Sequence, residues 1–324
     1  MSADWRPTAD IAALRLRADL HALIRQFFAA RGVLEVETPI LSQAGNTDPN
    51  IAGFRTQFDG HAGAGSGERW LRTSPEFPLK RLLAAGIGDC YELGRVFRNG
   101  EAGRNHNPEF TMLEWYRVGW DHRALMRETA ELVAAALALV GRTAHVRETT
   151  YRDLFKDALG IDPLLDDDAE LLHALKDIAI DPAGLRRDDW LDLLLTHRIQ
   201  PSLARDALLV VYDYPASQCA LAKIRADDPP VAERFELYLG QVELANGYNE
   251  LTDADEQRSR FEHDHTVRVQ RGDPLPPLDE GLLAALSHGL PDCAGVAVGV
   301  DRLLGSMLGA DTIAGILAFP FDRA

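Results

Sequence analysis

Cysteine, lysine and long apolar runs are all scarce in this sequence. Its 3 cysteines, Cys90, Cys219 and Cys293, lie far apart and form no C-x-x-C spacing, which excludes a disulfide framework or a readable zinc site and leaves reduced thiols as the expectation. No stretch approaches the ~20 apolar residues that cross a bilayer. Met1 to Pro7 carries Asp4 and Trp5 where a secretory leader would have a basic stretch and an apolar core. The expectation is a cytoplasmic protein with no membrane partner. Basic charge is short too: 34 Lys and Arg against 50 Asp and Glu give a net charge of -16, so no general basic face is available for nucleic acid phosphates. Lysine occurs only at Lys80, Lys156, Lys176 and Lys223, a bias of composition rather than a choice of arginine for phosphate. What remains is ordinary for a soluble globular chain: 324 residues, 46% hydrophobic and 26% charged, enough for one large domain or two small ones with a real core.

Apolar residues from Asp10 to Arg31, among them Leu20, Leu23, Ile24, Phe27 and Phe28, recur at helical spacing up to Gly32, which predicts a long amphipathic helix with a glycine stop. A short strand follows at Val33–Val36, then Thr38-Pro39. Residues 43–67 read as loop with short strands, and 70–73 as strand. Ser74-Pro75-Glu76 predicts a helix start, with a cap, a proline in the first position and an acid in the first turn. Residues 90–98 and 110–118 form a predicted hairpin around a polar loop. Residues of about 121–205 are Leu- and Asp-rich with helical period and turn signals at Gly160, Pro163 and Pro182. After a buried strand at 208–212, residues 235–239 and 242–246 pair across Gly240-Gln241, a type II′ turn. A Gly-punctuated strand then feeds a helix beginning near Asp301. The expected class is α+β, an antiparallel sheet with flanking helices rather than a doubly wound one.

Strand alternation puts Phe110, Met112, Glu114 and Tyr116 on one face and brings Arg98 out at the strand end beside the polar loop. A guanidinium there suits either a phosphate or a surface ion pair. In the later hairpin a two-residue turn sets Tyr238 opposite Glu243, with Glu236 diagonal to it. Two like charges so placed suit Mg²⁺ held against a nucleotide, or simply a solvated sheet face. Asn246, Tyr248 and Glu250 have the opposite parity to Glu243, so a shared pocket requires a bulge between 243 and 246. Gly299, Asp301 and Arg302 offer close backbone approach and a guanidinium at a helix start, a pattern that also serves plain packing.

In this order, the segments resemble the three motifs of class II aminoacyl-tRNA synthetases, most closely the lysine-activating branch, over nearly the whole chain. The long helix with Val33–Ile40 and Pro39 resembles motif 1, which in that family builds the dimer interface. Val96-Phe97-Arg98 with His106 to Glu114 resembles motif 2, and Gly299-Val300-Asp301-Arg302-Leu303 resembles motif 3. Thr73 to Glu76 and Glu243 to Asp253 resemble the lysine-pocket segments. Three departures stand out. The motif 1 helix starts near residue 10, leaving no room for an anticodon-binding barrel; Ala297 stands where the lysyl enzymes have glycine; and Gly100 occupies the place of a motif 2 Glu, with Glu101 one position on. The pattern resembles the truncated branch that attaches (R)-β-lysine to a lysine of elongation factor P.

That resemblance implies a single catalytic domain over 1–324 with a helical insertion at about 121–205, using ATP and Mg²⁺. It implies roles for Arg98 at the α-phosphate and Arg302 at the γ-phosphate, both catalytic, and Phe110 stacked on adenine. Asn99, Gly100, Asn107, Glu243, Leu244 and Gly299 complete the ATP contacts, and Glu236 with Glu243 would hold the metal. Ser74, Pro75, Glu76, Tyr116, Asn246, Tyr248, Glu250 and Ala297 would shape the amino acid pocket, where acids meet the two ammonium groups of the substrate. Implied partners are elongation factor P, β-lysine and a second copy through the Pro39 segment, with no tRNA. His106 is a candidate base by type alone, and a loop-holding or ATP-touching histidine fits as well. A non-catalytic accessory relative, or a lysyl adenylate former serving another carrier, are the other readings.

Overall fold

The computed structural model of the chain describes residues 5–61, 63, 67–178 and 184–324, so Asp4 and the turn expected at Pro182 lie outside the described residues. The contacts divide the chain into two compact units: residues 1–119, 252–293 and 297–324, and residues 120–251 with 294–296.

In the first unit, α1 (Ile11–Ala29) starts where the Asp10 side chain accepts the Ala13 N–H. It ends at Ala29, and the turn that follows closes at Gly32, whose φ of +68° is the left-handed conformation that glycine adopts without cost. Leu20, Ile24 and Phe28 are fully buried. Phe28 stacks on Tyr91 with ring centroids 4.4 Å apart. β1 (Leu34–Glu35) follows, then β2 (Leu41–Ser42), β3 (Arg55–Phe58) and β4 (Gly67–Leu71), the last three forming a small antiparallel sheet in the order β2-β4-β3. α2 (Glu76–Ala84) begins one residue later than expected, with Pro75 in the cap position. The Ser74 hydroxyl still accepts the Glu76 N–H at 2.9 Å, so the capping function survives the shift. β5 (Cys90–Phe97) and β6 (Glu109–Val118) are antiparallel with Glu92 opposite Glu114 and Val96 opposite Phe110, and β1 joins β5 in parallel.

The second unit opens with α3 (His122–Ala138), capped by Asp121. β7 (His145–Thr150) interrupts the stretch read as helical. It is a largely exposed polar edge strand, parallel to a neighbour and without an apolar alternation that could announce it. α4 (Tyr151–Leu159), α5 (Asp168–Leu175) and α6 (Arg187–Leu194) supply Tyr151, Phe155, Leu171, Leu191 and Leu194 to this unit's core. β8 (Ala207–Pro215), β9 (Ile224–Arg225), β10 (Val231–Leu239) and β11 (Val242–Asn249) follow. β10 lies antiparallel to both β8 and β11. Gly240 has the positive φ, +57°, that the expected hairpin turn needs.

The chain then returns to the first unit with α7 (Ala254–Arg271) and α8 (Glu280–Gly289), runs through β12 (Cys293–Gly299) into α9 (Val300–Leu308), and closes with two short 3-10 turns at Ile313–Gly315 and Phe321–Arg323. The architecture is the α+β arrangement read from the sequence, antiparallel pairing with parallel edges at β1 and β7. Among the described residues, no helix is long and apolar enough to cross a membrane.

Candidate active site

In the first unit, β5 and β6 end at the polar loop that carries the motif 2 residues. The Arg98 N–H bonds to the Pro108 carbonyl at 2.9 Å, which sets the guanidinium just beyond the strand pair. Its centre lies 5.3 Å from the centroid of the Phe110 ring. Its Nε is buried with no hydrogen-bond acceptor, and the nearest acid, Glu101, approaches only to 3.8 Å at Nη1. A buried cationic donor without an acceptor is costly unless a ligand supplies one. This favours the phosphate alternative over a surface ion pair, and it is the feature by which the residues fit ATP. Gly100 has a φ of +84°, left-handed backbone that a glutamate would adopt only under strain. The departure from the motif 2 pattern therefore follows from the turn. The Asn99 N–H is held by the Ala52 carbonyl at 2.8 Å.

Asn107 is spent on the frame: its Oδ1 accepts the Phe321 N–H at 2.9 Å and its Nδ2 donates to the Glu109 carbonyl at 2.6 Å. Arg302 lies in the first turn of α9, and its Nη2 is 2.8 Å from His106 Nε2. Asp301 beside it is buried. It accepts the Thr111 N–H at 2.9 Å and pairs with Arg17 of α1 at 2.5 Å, tying the motif 1 helix, the strand after Phe110 and the start of α9 together. The nearest atoms a Cβ at Gly299 would meet are those of the Arg302 side chain, at 3.6 Å, an ordinary van der Waals contact. Packing does not demand glycine there, and the missing side chain leaves backbone open to a ligand.

The amino acid residues of this unit surround a carboxylate that the sequence reading placed on the right face but did not select. Glu114, 3% exposed, accepts from the Ser74 hydroxyl at 2.6 Å and the Tyr116 hydroxyl at 2.8 Å. The sequence signal was the shared parity of Glu114 and Tyr116; the arrival of Ser74 from another segment was not readable. Glu92, directly opposite, is neutralised by Arg72 at 2.5 Å and bonded by the Thr38 hydroxyl at 2.6 Å. Glu76 differs from the expectation of an acid awaiting an ammonium group, because its Oε1 already receives the buried Lys80 ammonium at 2.6 Å. Ser74 and Glu76 line a cavity of ≈ 670 Å³, together with Pro39 and Asn46, a volume within the range of small-ligand sites. Pro75 is buried, and Ala297 lies partly exposed in β12.

In the second unit, the bulge that the sequence argument required is present. Tyr238 faces Glu243, but Leu237 faces Ala245 and Glu236 faces Asn246, so Leu244 is the extra residue. The bulge returns Asn246 and Tyr248 to the face of Glu236 and Tyr238. Glu236, 7% exposed, accepts short hydrogen bonds from the Arg234 guanidinium and the Tyr238 hydroxyl. Arg234 also donates to Asn246 Oδ1 at 3.3 Å and to the Gln218 carbonyl at 2.9 Å. Burial works against the Arg234 charge, but Glu236 and its other neighbours hold its pKa well above the ordinary value. Gly247 between them is forced by packing, since a Cβ there would lie 2.5 Å from the Phe235 ring. Glu250 is fully buried next to this face, bridged to Ala222. The donor set of Glu236 and Glu243 is all oxygen. It fits Mg²⁺ shared with phosphates rather than a self-sufficient cage, and among the described residues no cluster of three or more His, Cys, Asp or Glu could hold a metal by itself.

Comparison with known proteins places the chain in a family. The family of tRNA synthetases class II (D, K and N) matches residues 2–323. The chain is 49% identical to the elongation factor P–(R)-β-lysine ligase of Yersinia enterocolitica over 328 residues, covering 100% of this chain and 99% of the relative. It is 49% identical to the ligase of that name from Vibrio cholerae, with the same coverage, and 47% identical to that of Pectobacterium carotovorum, covering 99% of this chain and 98% of the relative. The chain belongs to the class II tRNA synthetases of the D, K and N group.

Proposed function

We propose that this chain is an ATP-dependent ligase that activates (R)-β-lysine and transfers it to the ε-amine of a lysine on elongation factor P. The observation that carries the reading is the Arg98 guanidinium, with a buried Nε lacking an acceptor beside the Phe110 ring. The names of full-length relatives at 47–49% identity support the choice of substrate and acceptor.

The chemistry is attack of the substrate carboxylate on the α-phosphorus of ATP, giving an aminoacyl-adenylate and pyrophosphate, and it needs no protein nucleophile. The chain's task is to position and to neutralise. Arg98 offsets charge at the α-phosphate and Arg302 at the γ-phosphate, Phe110 stacks on adenine, and Asn99, Gly100, Asn107, Leu244 and Gly299 border the nucleotide. Glu236 and Glu243 would hold Mg²⁺, which supplies charge neutralisation for the departing pyrophosphate. Glu114, held by Ser74 and Tyr116, joins Glu250 as an acid for the substrate's ammonium groups. Glu76, already paired with Lys80, serves mainly to shape the pocket.

A second copy docks on the Pro39 segment in this reading, supported by the exposure of Leu34, Ile40 and Leu41 around it. The charge of -16 works against tRNA as the acceptor in this reading.

The test is ATP–pyrophosphate exchange with β-lysine, α-lysine and no amino acid, followed by mass measurement of elongation factor P after incubation with enzyme, ATP and β-lysine. Exchange with β-lysine and a mass gain of one β-lysyl group are expected. Silence with every amino acid would favour an accessory protein, and strong preference for α-lysine another carrier. Arg98→Ala should abolish exchange in a folded protein.

A further inference from the structure

Between β2 and β3 the chain runs through residues 43–54 without regular structure, so the carbonyls it turns inward need donors from elsewhere. One side chain of α7 supplies them. Arg268, 3% exposed, donates from Nε to the Thr47 carbonyl at 2.7 Å and from Nη2 to the carbonyls of Asp48 at 2.6 Å, Ile51 at 2.9 Å and Asn46 at 3.3 Å. Its Nη1 reaches the Pro274 carbonyl at 3.3 Å. One turn earlier on the same helix, Asp264 accepts the Thr47 hydroxyl at 2.8 Å. A planar fork of donors can serve several carbonyls at once, and the shape of the loop is thereby set by a helix outside every segment that carries the family motifs.

The first pinned residue is Asn46. Its Oδ1 accepts the Asp48 N–H at 2.9 Å, which turns the amide nitrogen toward Thr73, whose hydroxyl oxygen accepts it at 3.1 Å. Asn46 and Thr73 line the same cavity as Ser74 and Glu76. With the carbonyls of Asn46, Thr47 and Asp48 held, the Asn46 backbone is fixed where its side chain can reach Thr73; a loop displaced by about 1 Å loses that bond and moves the cavity wall. The far end of the loop touches the nucleotide side, where the Ala52 carbonyl accepts the Asn99 N–H. That side has its own supports: the Phe97 N–H bonds to the Arg72 carbonyl and the Arg98 N–H to the Pro108 carbonyl, both at 2.9 Å.

We propose that Arg268 is a positioning residue for the amino acid substrate, fixing the 46–51 loop so that Asn46 meets Thr73 at the cavity wall. The inference rests on the functional reading above, which gives this cavity to the amino acid, and deepens it by adding a residue of α7 to the determinants of amino acid binding. Nucleotide binding is left nearly untouched, because the strand end that carries Arg98 is held independently of the loop.

Pyrophosphate exchange at varied β-lysine and at varied ATP separates the two sides. Arg268→Lys keeps the charge as a point donor that cannot span the loop carbonyls as a planar fork. The expected result is a folded variant whose KM for β-lysine rises about tenfold while its KM for ATP stays within about twofold of the wild type. Equal rises for both substrates, or no rise for β-lysine, would overturn the proposal. A cycle with Asn46→Ala distinguishes positioning from general loosening. Acting through Asn46, Arg268→Lys should add less than about twofold to the β-lysine KM of the Asn46→Ala protein, and a full tenfold addition would refute the assignment. If Arg268→Lys does not fold, Thr47→Val takes its place in the same cycle, releasing the loop from Asp264. Its β-lysine KM should rise about threefold, with no rise in the Asn46→Ala background, and an unchanged KM would overturn the role of the α7 anchor. Wild-type protein that exchanges with β-lysine while the variants fail these comparisons sinks only the role of Arg268. Folded wild-type protein that exchanges with no amino acid sinks the functional reading and the role with it.

Discussion

Arg302 Nη2 lies 2.8 Å from His106 Nε2, and because the guanidinium only donates, the imidazole accepts and is neutral. Burial first, and the Arg302 charge second, lower the His106 pKa below its ordinary 6.5. A base with a lowered folded pKa gives stability that is present above 6.5 and lost as pH falls through the lowered value, since the unfolded chain then binds the proton more readily. Acidification should turn this contact into repulsion between cations. His106→Gln keeps an acceptor for Arg302 but does not titrate, so its melting temperature should fall less than that of the wild type between pH 7.5 and pH 5. Parallel melting curves across that range would show that the contact is not titrating.

Arg72 and Glu92 form a pair at 2.5 Å with side chains only 6% and 5% exposed. Glu92 faces Glu114 across the strands, so removing the guanidinium leaves a buried, uncompensated charge next to another acid. Arg72→Met should cost about 3–5 kcal/mol in denaturant unfolding. The double variant Arg72→Met/Glu92→Gln should recover a large part of that loss. A single variant within about 1 kcal/mol of the wild type would mean that water reaches the site.

These two relationships mark the boundary of what was legible. Residues along one strand declare their shared face through parity, which is why Glu114 with Tyr116, and Glu236 with Tyr238, were readable. The need for a bulge before Asn246 was readable for the same reason, although its position at Leu244 was not. Partners that arrive from another segment leave no periodic trace, and so Ser74 on Glu114 and Arg72 on Glu92 were invisible. β7 escaped because an exposed polar edge strand carries no apolar alternation. The neutralisation of Glu76 by Lys80 was written in an i, i+4 spacing, but helical spacing alone does not tell that Lys80 is buried.

Asp213 combines backbone strain with charge. Its φ is +58°, and its carboxylate accepts from Arg225 at 2.8 and 3.2 Å and contacts His122 at 3.2 Å. Burial alone would raise its pKa, but the hydrogen bonds from His122 and Arg225 outweigh burial and hold it at about 2, against an ordinary 3.8. Such a depressed acid contributes stability above 3.8 that is lost as pH falls toward 2. Asp213→Asn tolerates the same left-handed backbone and removes only the charge. It should destabilise the protein by about 2–3 kcal/mol at pH 7, at roughly 1.4 kcal/mol per pKa unit, and the gap to the wild type should narrow as pH drops below 4. A gap that is constant with pH would assign the loss to geometry instead.

Ala297 is the position where the proposed function gives a single methyl a role in selectivity. In β12 its neighbours Val296 and Val298 are buried in the core, 2% and 0% exposed, so alternation turns Ala297 to the opposite face, the one it shares with Gly299. If that face borders the amino acid as the proposed function has it, the methyl narrows the space there, and one carbon in a pocket is worth about 1–3 kcal/mol of discrimination. β-Lysine carries its amine one carbon further from the carboxylate than α-lysine does, so the two place different atoms against this wall. Ala297→Gly should raise kcat/KM for α-lysine about tenfold or more relative to β-lysine in pyrophosphate exchange. Glycine in a strand costs about 0.5–1 kcal/mol of stability, a loss that lowers the melting temperature but does not alter the ratio of the two substrates. The ratio is therefore the quantity to measure, and a ratio equal to that of the wild type would remove Ala297 from the determinants of selectivity.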